Sequence, residues 1–420
     1  MEDTITKVLA HIDPDELVAL AADLVKINSV WDPEVGTNEQ QAAEFVAAWA
    51  REKGFACQME EVVPGRPNVI ITWQGGPGER TLMFEGHTDV VTPGDPSTWS
   101  VDPFGAEIRD GRMYGRGSCD TKGNLAAMLI AMAALKNAGV ALSGSLVGGV
   151  LCDEEDQMQG VLHFIEQGHA DQVTGAVICE PQDGLICTSQ KGAVRVEYFI
   201  SGRMSHGAMP LSGLNTAPAV AELIRGLQRL EQQACKHYGR DPYLDWPSFT
   251  PTVIQAPASG PRQLNVMPGE ARLLVDVRTI PGQDHQQIIA DLQKMARQAE
   301  ADCLEAYTRS DAGLGIERSR ELEIQTSILT DRPCTRTPED HPLVVAADRA
   351  SRQISGKEPD HAGVPGATNG TFLWGLKDIP IVTMGAGDRY VPHQKDEWVD
   401  LDQLVETARI YALTGLHYLS

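Results

Sequence analysis

The feature that most constrains this chain is an alternation of short, β-rich apolar runs with a helical segment in its N-terminal part. The segment 124–137 is rich in Ala, Met and Leu, and Gly139 follows it as a glycine follows many helix ends. The apolar runs around it are 68–73, 81–85, 145–152 and 176–179. Because strands that alternate with helices form a sheet covered by helices, the pattern predicts an α/β fold.

Two local patterns in the same region also predict regular structure. An amphipathic segment that ends near Lys53-Gly54 predicts a helix before the first strand. Residues 107–114 enclose Asp110-Gly111, a strong signal for a two-residue turn, and therefore predict a β-hairpin.

From Gly192 onwards the pattern changes, and a chain of 420 residues exceeds what one hydrophobic core usually fills. The predicted elements are a strand at 193–201, a helix at 216–236, a Pro- and Trp-containing loop at 242–257, a strand at 270–278 and a helix at 284–300. A helix at 341–355 and a strand at 379–384 indicate a return to the first domain. We therefore expect a catalytic metal-binding domain of residues 1–191 and 333–420, and a smaller inserted α+β domain of residues 192–332.

Composition excludes several classes of protein. With 42% apolar and 22% charged residues the chain is neither disordered nor collagen-like, and no run approaches the roughly 18 apolar residues of a membrane span. The first twenty residues lack the basic and apolar regions of a secretory signal, so we expect a cytoplasmic protein without a membrane partner. A net charge of −23 without a basic cluster argues against nucleic acid. Eight scattered cysteines without a C-x-x-C pair argue against a zinc ribbon or a disulfide framework.

Acidic and histidine residues fall where the predicted strands end. His87, the Glu154-Glu155 pair, Glu180 and His393 each follow an apolar run. In open α/β sheets ligands bind at the carboxyl ends of strands, although a single such residue is more often a cap or a solvated turn residue. A further acid, Asp120, precedes the predicted helix at 124–137.

The combination of these residues indicates a metal site. Glu154, Glu155 and Asp156 are three adjacent acids after an apolar run, which is costly near a core unless a cation or a proton neutralises them. Two imidazoles and three carboxylates suit a pair of divalent ions, zinc in the first place, with cobalt or manganese as alternatives. The spacings are too wide for a local zinc motif.

The motifs around these residues resemble those of a known family. They are Phe84-Glu-Gly-His87-Thr-Asp89-Val-Val, Trp99 to Pro103-Phe104, Tyr114-Gly-Arg-Gly-Ser-Cys-Asp120-Thr-Lys122-Gly123, Asp153-Glu154-Glu155 and Ser205-His206-Gly. In this order they are similar to the co-catalytic metallopeptidases of the M20 family, which include acetylornithine deacetylase, succinyl-diaminopimelate desuccinylase, aminoacylase and the glutamate carboxypeptidases. The resemblance implies a zinc-peptidase-like mixed sheet covered by helices, with an inserted lid and dimerisation domain.

The resemblance also implies a role for each residue of the metal site. Two divalent ions per subunit are expected, one bound by His87 and Glu180, the other by Glu155 and His393, with Asp120 between them. Asp89 would accept a hydrogen bond from His87 and fix its tautomer. Glu154 would be the general base that takes a proton from an activated water.

Residues of the inserted domain are implied in catalysis and substrate binding. His206 would stabilise the oxyanion in the active site of the partner subunit, so the resemblance implies a homodimer; a plain surface histidine is the alternative. Arg278, with Asn265 nearby, would bind a substrate carboxylate, or Arg278 forms an ordinary ion pair with an acid such as Asp276.

Further positions bear on the substrate. A glycine-rich turn that contains Gly366 and Asn369 would line the substrate pocket. Asn369 stands where the family often has Asp, and Cys119 and Thr121 flank Asp120 where many members have a small residue and Met. Cys119 is either a redox-sensitive thiol or a packed, reduced one.

The expected function is hydrolysis of the amide bond of an N-acyl amino acid or a small peptide. An N-carbamoyl-amino-acid amidohydrolase would use nearly the same site. A non-catalytic binding protein on the same scaffold is the alternative from another class.

Overall fold

The computed structural model describes residues 2–311 and 322–420. The chain divides into two compact units. One comprises Met1–Ser189, Thr335–Val364 and Thr368–Ser420, and the other Gln190–Cys334 and Pro365–Ala367. The described helices are α1 (Glu2–Leu9), α2 (Pro14–Lys26), α3 (Gln40–Glu52), α4 (Lys122–Asn137), α5 (Gln159–Glu166), α6 (Ala217–Tyr238), α7 (His285–Asp311), α8 (Pro342–Ser355), α9 (Gly370–Lys377) and α10 (Leu401–Tyr418). The described strands are β1 (Ala56–Val63), β2 (Arg66–Gln74), β3 (Arg80–His87), β4 (Glu107–Arg109), β5 (Arg112–Tyr114), β6 (Gly144–Leu151), β7 (Gly175–Ile178), β8 (Ile186–Gln190), β9 (Gly192–Ser201), β10 (Ser205–His206), β11 (Ser248–Gln255), β12 (Val266–Met267), β13 (Glu270–Thr279), β14 (Glu323–Arg332), β15 (Thr335–Arg336), β16 (His361–Val364), β17 (Ile381–Thr383) and β18 (Trp398–Asp400).

The central sheet of the first unit is mixed. Its strand order is β1-β2-β6-β3-β7-β17-β8-β15, with β16 beside β8. Strand β3 pairs in parallel with both β6 and β7, and β7 pairs in parallel with β17. The pairs β1–β2 and β2–β6 are antiparallel. The predicted α/β fold with a mixed sheet is confirmed.

Helices cover both faces of this sheet because the side chains of its strands are apolar on both faces. In β3, Leu82 and Phe84 belong to a core shared with α2, α4, α8 and α10, whereas Met83 belongs to a core shared with α5 and α9. Successive side chains of a strand point to opposite faces, so a continuous apolar run is typical of a strand that is buried on both sides.

Helix α4 is buried almost throughout. Its residues from Lys122 to Leu135 are buried, and the stretch from Leu125 to Leu135 holds only Leu, Ala, Met and Ile. A helix that is apolar on all sides belongs inside a core rather than at its surface. Gly139 after it has a φ of 62°, the left-handed conformation predicted for a helix end. Within the described ranges, no helix is long and apolar enough to cross a membrane.

The second unit contains an antiparallel sheet with two long helices packed on it. The strand order is β11-β13-β9-β14. Buried residues alternate along β13 (Ala271, Leu273, Val275 and Val277) and pack with residues of α6 and α7. This alternation is typical of an antiparallel sheet with one covered face, and the predicted α+β character of the insert is confirmed.

One predicted loop is wrong in its second half. The sequence predicts a loop at 242–257, but strand β11 occupies part of this range and pairs with β13. The proline that hides this strand, Pro251, lies where the register shifts, and β11 is an edge strand. An edge position tolerates proline because no neighbouring strand needs its missing N–H, while Thr, Val and Ile around it favour extended backbone.

Candidate metal centre

The predicted metal ligands of the first unit lie at one edge of its central sheet. His87 is the last residue of β3, Glu154 and Glu155 follow β6, Glu180 follows β7, and His393 follows β17. Since β6, β3, β7 and β17 are neighbouring parallel strands, their carboxyl ends meet at the same edge. The sheet topology therefore brings together residues that are far apart in sequence.

Asp120 lies between the two histidines. Its Oδ1 is 3.2 Å from Nε2 of His87, and its Oδ2 is 3.4 Å from Nε2 of His393. Each histidine also has a glutamate of its own: Glu180 Oε1 is 3.4 Å from His87 Nε2, and Glu155 Oε2 is 3.0 Å from His393 Nε2. The cluster consists of two His–Glu pairs that share one aspartate.

Asp89 connects His87 with the segment that follows β6. The Nδ1 atom of His87 is 3.0 Å from the backbone carbonyl of Asp89 and 3.4 Å from its carboxylate. With the proton on Nδ1, the lone pair of Nε2 faces Asp120 and Glu180, as a metal ligand requires. Although burial opposes it, hydrogen bonds with His87 and from two backbone amides lower the pKa of Asp89, which keeps the carboxylate ionised.

The carboxylates of the cluster repel each other. Burial first, and then neighbouring acids, raise the pKa of Glu154 well above its ordinary value; burial and Asp120 raise that of Glu180 to about 8. Burial and Asp120 also raise the pKa of Glu155. Among the described residues, no Lys or Arg forms an ion pair with these glutamates or with Asp120. In the part of the chain that the structure describes, the two histidines are the only basic side chains that pair with these acids.

The two histidines differ in how they are held. His87 is fully buried on β3, whereas the side chain of His393 is 54% exposed and its backbone has a φ of 67°. Hydrogen bonds with Asp120 and Glu155 raise the pKa of His393 to about 10. The amide of Asn124 bonds the backbone of Ala386, in the loop before His393, at 2.9 and 2.7 Å.

These donors fit a divalent transition metal. His87, Asp120 and Glu155 each offer a ligand atom, and the three atoms lie within 4.8 Å of one another. Imidazole nitrogens and carboxylate oxygens are the ligands that zinc, cobalt and manganese accept. A cation would also relieve the repulsion that raises the pKa values of the glutamates.

Sequence reasoning missed a buried carboxylate next to Asp120. Glu397 is fully buried, accepts a hydrogen bond from the backbone N–H of Asp120 at 3.0 Å, and forms an ion pair with Arg116. Burial raises the pKa of Glu397 to about 7. A single acid before a short β-rich run is a weak pattern, and its partners are backbone groups that no motif reveals.

A second buried ion pair lies next to the Glu154-Glu155 segment and was also missed. Arg66 bonds Asp153 and Glu39 through nitrogens 2.6 Å from each, and its guanidinium stacks on the Trp31 ring at 4.9 Å. Since Asp153 directly precedes Glu154, this network holds the start of the segment. A single arginine ahead of an apolar run gives no sign in the sequence that it is buried.

Four predicted residues belong to the second unit. His206 is exposed on β10, its Nδ1 accepts the Ala208 N–H at 3.0 Å, and it lines a cavity of about 700 Å³. The backbone carbonyl of Asn265 accepts the Gly207 N–H at 2.7 Å. Arg278 Nε lies 3.0 Å from Asp276, and Gly366 is in the segment Pro365–Ala367.

Two further residues lie in the first unit. Asn369 is fully buried, and its amide donates to Glu85 at 2.8 Å. Cys119 is fully buried, and burial raises the pKa of its thiol well above the ordinary value. The thiol therefore stays protonated at neutral pH, which is typical of a packed cysteine rather than a reactive one.

The order of motifs in this geometry is that of a known family. A sequence model of Peptidase family M20/M25/M40 matches residues 83–416, a range that contains the whole cluster around Asp120. The chain belongs to the M20 peptidase family. Its members are metal-dependent hydrolases, and the cluster around Asp120 is where this M20 chain gathers its candidate ligands.

Curated M20 relatives match along nearly their full length. The N-formyl-4-amino-5-aminomethyl-2-methylpyrimidine deformylase of Bacillus subtilis is 27% identical, over 94% of this chain and 93% of the relative. A probable succinyl-diaminopimelate desuccinylase of Staphylococcus epidermidis is 23% identical, over 95% of this chain and 97% of the relative.

A solved structure has the same M20 fold. The metallo-carboxypeptidase Sso-CP2 of Sulfolobus solfataricus superposes with a TM-score of 0.75 at 19% identity, over 96% of this chain and all of that chain. At this identity the likeness is one of fold.

Proposed function

We propose that this M20 chain is a two-metal hydrolase that cleaves the amide bond of an N-acyl amino acid or a small peptide, with Glu154 as the general base. The observation that carries the proposal is the arrangement around Asp120, in which two His–Glu pairs share one carboxylate. One acid shared between two His–Glu pairs suits two ions better than one.

The ligands divide between two positions. His87 and Glu180 would hold one ion, and Glu155 and His393 the other, with Asp120 bound to both. When bound, the ions would supply Lewis acidity that polarises the scissile carbonyl and acidifies a water. The donor set leaves zinc, cobalt and manganese as candidates, with zinc in the first place.

Glu154 is suited to proton transfer. Its carboxylate makes no hydrogen bond or ion pair with any described residue, and only 8% of the residue is exposed. Asp89 holds its backbone amide at 3.1 Å. A buried carboxylate that is fixed only through its backbone can take a proton from water and deliver it to the leaving amine.

His206 is proposed as the donor that stabilises the oxyanion, acting from the partner subunit of a homodimer. Because its Nδ1 accepts the Ala208 N–H, a neutral ring carries its proton on Nε2, which is then free to donate. The second unit would therefore serve as lid and dimerisation domain, and the first unit as the catalytic domain.

Substrate binding is proposed for further residues of the second unit. Arg278 is half-buried, and its Nε is paired with Asp276. The remaining nitrogens of a guanidinium can bind a carboxylate bidentately, with Asn265 and Gly366 as additional contacts. Asn369 is buried, so it would act on the pocket indirectly, through its hydrogen bond to Glu85.

The relatives support the class of substrate. One is named as a deformylase and another as a probable desuccinylase, and both names describe removal of an acyl group from an amine. The structural neighbour is named as a carboxypeptidase, which cleaves an amide bond beside a carboxylate. All three names agree with cleavage of an amide bond; the desuccinylase and the carboxypeptidase agree with an N-acyl amino acid or a small peptide, whereas the deformylase is named for an N-formyl aminopyrimidine.

The test combines metal analysis with a panel of substrates. We expect the purified protein to bind two divalent ions per chain. Chelation that leaves less than about a tenth of an equivalent of bound metal should abolish turnover, and addition of zinc, cobalt or manganese should restore it. N-acyl amino acids and dipeptides should be cleaved in preference to N-carbamoyl amino acids. Full turnover of the stripped protein would overturn the metal mechanism, and cleavage of N-carbamoyl substrates alone would change the substrate class.

A further inference from the structure

Arg116 and Glu397 form a buried ion pair next to the metal centre. Their side chains are 2% and 0% exposed. A buried pair of this kind is strongly coupled to its surroundings, because removing one partner leaves an uncompensated charge. Neither residue has a role in the proposed chemistry.

Glu397 fixes the backbone that carries Asp120. One carboxylate oxygen, Oε1, accepts three backbone N–H groups, from Gly117 at 3.1 Å, Cys119 at 2.9 Å and Asp120 at 3.0 Å. Successive N–H groups that converge on one anion form a concave site whose shape depends on that anion. The position of Asp120 therefore depends on the charge of Glu397.

Arg116 connects Glu397 with the backbone of His393, and we call the Arg116–Glu397 pair with the backbone groups it holds the frame. Its Nη1 pairs with Glu397, while its Nη2 donates to the backbone carbonyl of His393 at 3.3 Å. One guanidinium thus links the carboxylate that holds Asp120 to the backbone of His393.

The two halves of the metal centre depend on this frame to different degrees. His87 ends β3, where its backbone pairs with Leu151 of β6 and the strand up to Glu85 also pairs with β7. His393 lies in a loop with its side chain half-exposed, and the hydrogen bond from Arg116 is one of the few that fix its backbone. Loss of the frame should displace His393 far more than His87.

We propose that Arg116 and Glu397 are positioning residues that set the affinity of the Glu155–His393 half of the centre for its divalent ion, beyond their effect on the shared Asp120. This half then fills second, after the His87–Glu180 half. The inference rests on the proposed function for the identity of the ligands, and goes beyond it in assigning unequal affinities to the two positions and naming their cause.

Two variants test the inference by calorimetric titration of metal-free protein with Zn²⁺. Glu397→Gln keeps an acceptor for the backbone N–H groups but removes the ion pair, and Arg116→Lys keeps the charge but loses the fork that reaches His393. In both variants we expect the weaker Zn²⁺ affinity to fall by about ten- to a hundredfold, and the tighter one, which shares Asp120, to fall by a clearly smaller factor. The KM should stay unchanged, and at saturating Zn²⁺ kcat should recover.

The matched control is Asp400→Ala. Asp400 lies on the same strand-to-helix segment and caps α10 by accepting the Gln403 N–H at 3.0 Å. Its loss should lower the melting temperature without changing either Zn²⁺ affinity. If Glu397 only stabilised the fold, Glu397→Gln would likewise lower the melting temperature and leave both Zn²⁺ affinities unchanged.

Three outcomes separate the inference from the proposed function. Unchanged Zn²⁺ affinities in both variants, or an equal loss at both positions, would overturn the inference while two-metal binding stands. A wild-type protein that binds no Zn²⁺, Co²⁺ or Mn²⁺ would overturn the proposed function and the inference with it. If Glu397→Gln does not fold, Arg116→Lys decides alone.

Discussion

The backbone amide of Glu154 donates a hydrogen bond to the carboxylate of Asp89 at 3.1 Å. The other oxygen of the same carboxylate accepts the Glu155 amide at 3.0 Å. One side chain thus sets the position of both the proposed base and a proposed metal ligand. Asp89 also lies beside Nδ1 of His87, so three parts of the centre depend on it.

Asp89→Asn should weaken metal binding. An amide can accept through only one atom, so one of the two backbone N–H groups loses its partner, and the charge beside His87 is lost. We expect the metal affinity to fall by about ten- to a hundredfold, measured by titration of the metal-free protein. An unchanged affinity would mean that Asp89 is an ordinary turn residue.

Glu154→Gln should separate binding from chemistry. The amide preserves the shape of the side chain but cannot take a proton, so we expect both ions to remain bound while kcat falls by about a hundredfold or more. Metal content and steady-state rates on the same preparation provide the measurement. A variant that loses metal and keeps its rate per bound ion would show that Glu154 and Glu155 have exchanged roles.

His206→Ala should lower kcat by about a hundred- to a thousandfold with unchanged metal content, as expected for loss of one oxyanion donor. The sharper measurement mixes this variant with Glu154→Gln. A heterodimer of the two would have one site with an intact Glu154 from its own chain and an intact His206 from the partner. Activity should return to about half of wild type per heterodimer. Verified subunit exchange without activity would exclude action across the dimer.

Asn369→Asp should make stability depend more steeply on pH. Burial raises the pKa of Glu85 to about 7, and the Asn369 amide donates to it. In the variant a second buried acid replaces that donor, so the folded state holds protons that the unfolded state releases, and stability falls as pH rises through the folded pKa. The loss relative to wild type should be about 1–3 kcal/mol larger at pH 8 than at pH 6, measured by denaturant unfolding.

The double variant Glu85→Gln/Asn369→Asp provides the control for this pH dependence. Without the ionisable Glu85, the repulsion between two buried acids disappears, and most of the additional pH dependence should disappear with it. An equal loss of stability at both pH values in the single variant would contradict the explanation.

The fold and the grouping of the candidate ligands could be predicted because their signals are local. Strand β3 is a continuous apolar run that ends at His87, and α4 is an apolar segment that ends before a glycine. Once the strands are parallel neighbours, the residues that follow them meet without any further information.

Other features could not be predicted, for physical reasons. Glu397 acts on backbone N–H groups 277 to 280 positions earlier, and such partners leave no trace in side-chain patterns. Strand β11 was hidden by Pro251, whose effect depends on whether the strand lies at an edge. Both features follow from tertiary context.

The discontinuous first unit determines when the metal centre can form during synthesis. Strand β17 pairs with β7, yet a ribosome adds it only after the whole of the second unit. At 5–20 residues per second, roughly 10–40 s separate Glu180 from His393. During that time the insert is synthesised, while the nascent chain has an unpaired edge on β7 and a candidate ligand set without His393 and without the Glu397 that holds Asp120. If the proposed ligands are correct, metal can complete the centre only after translation has passed the insert.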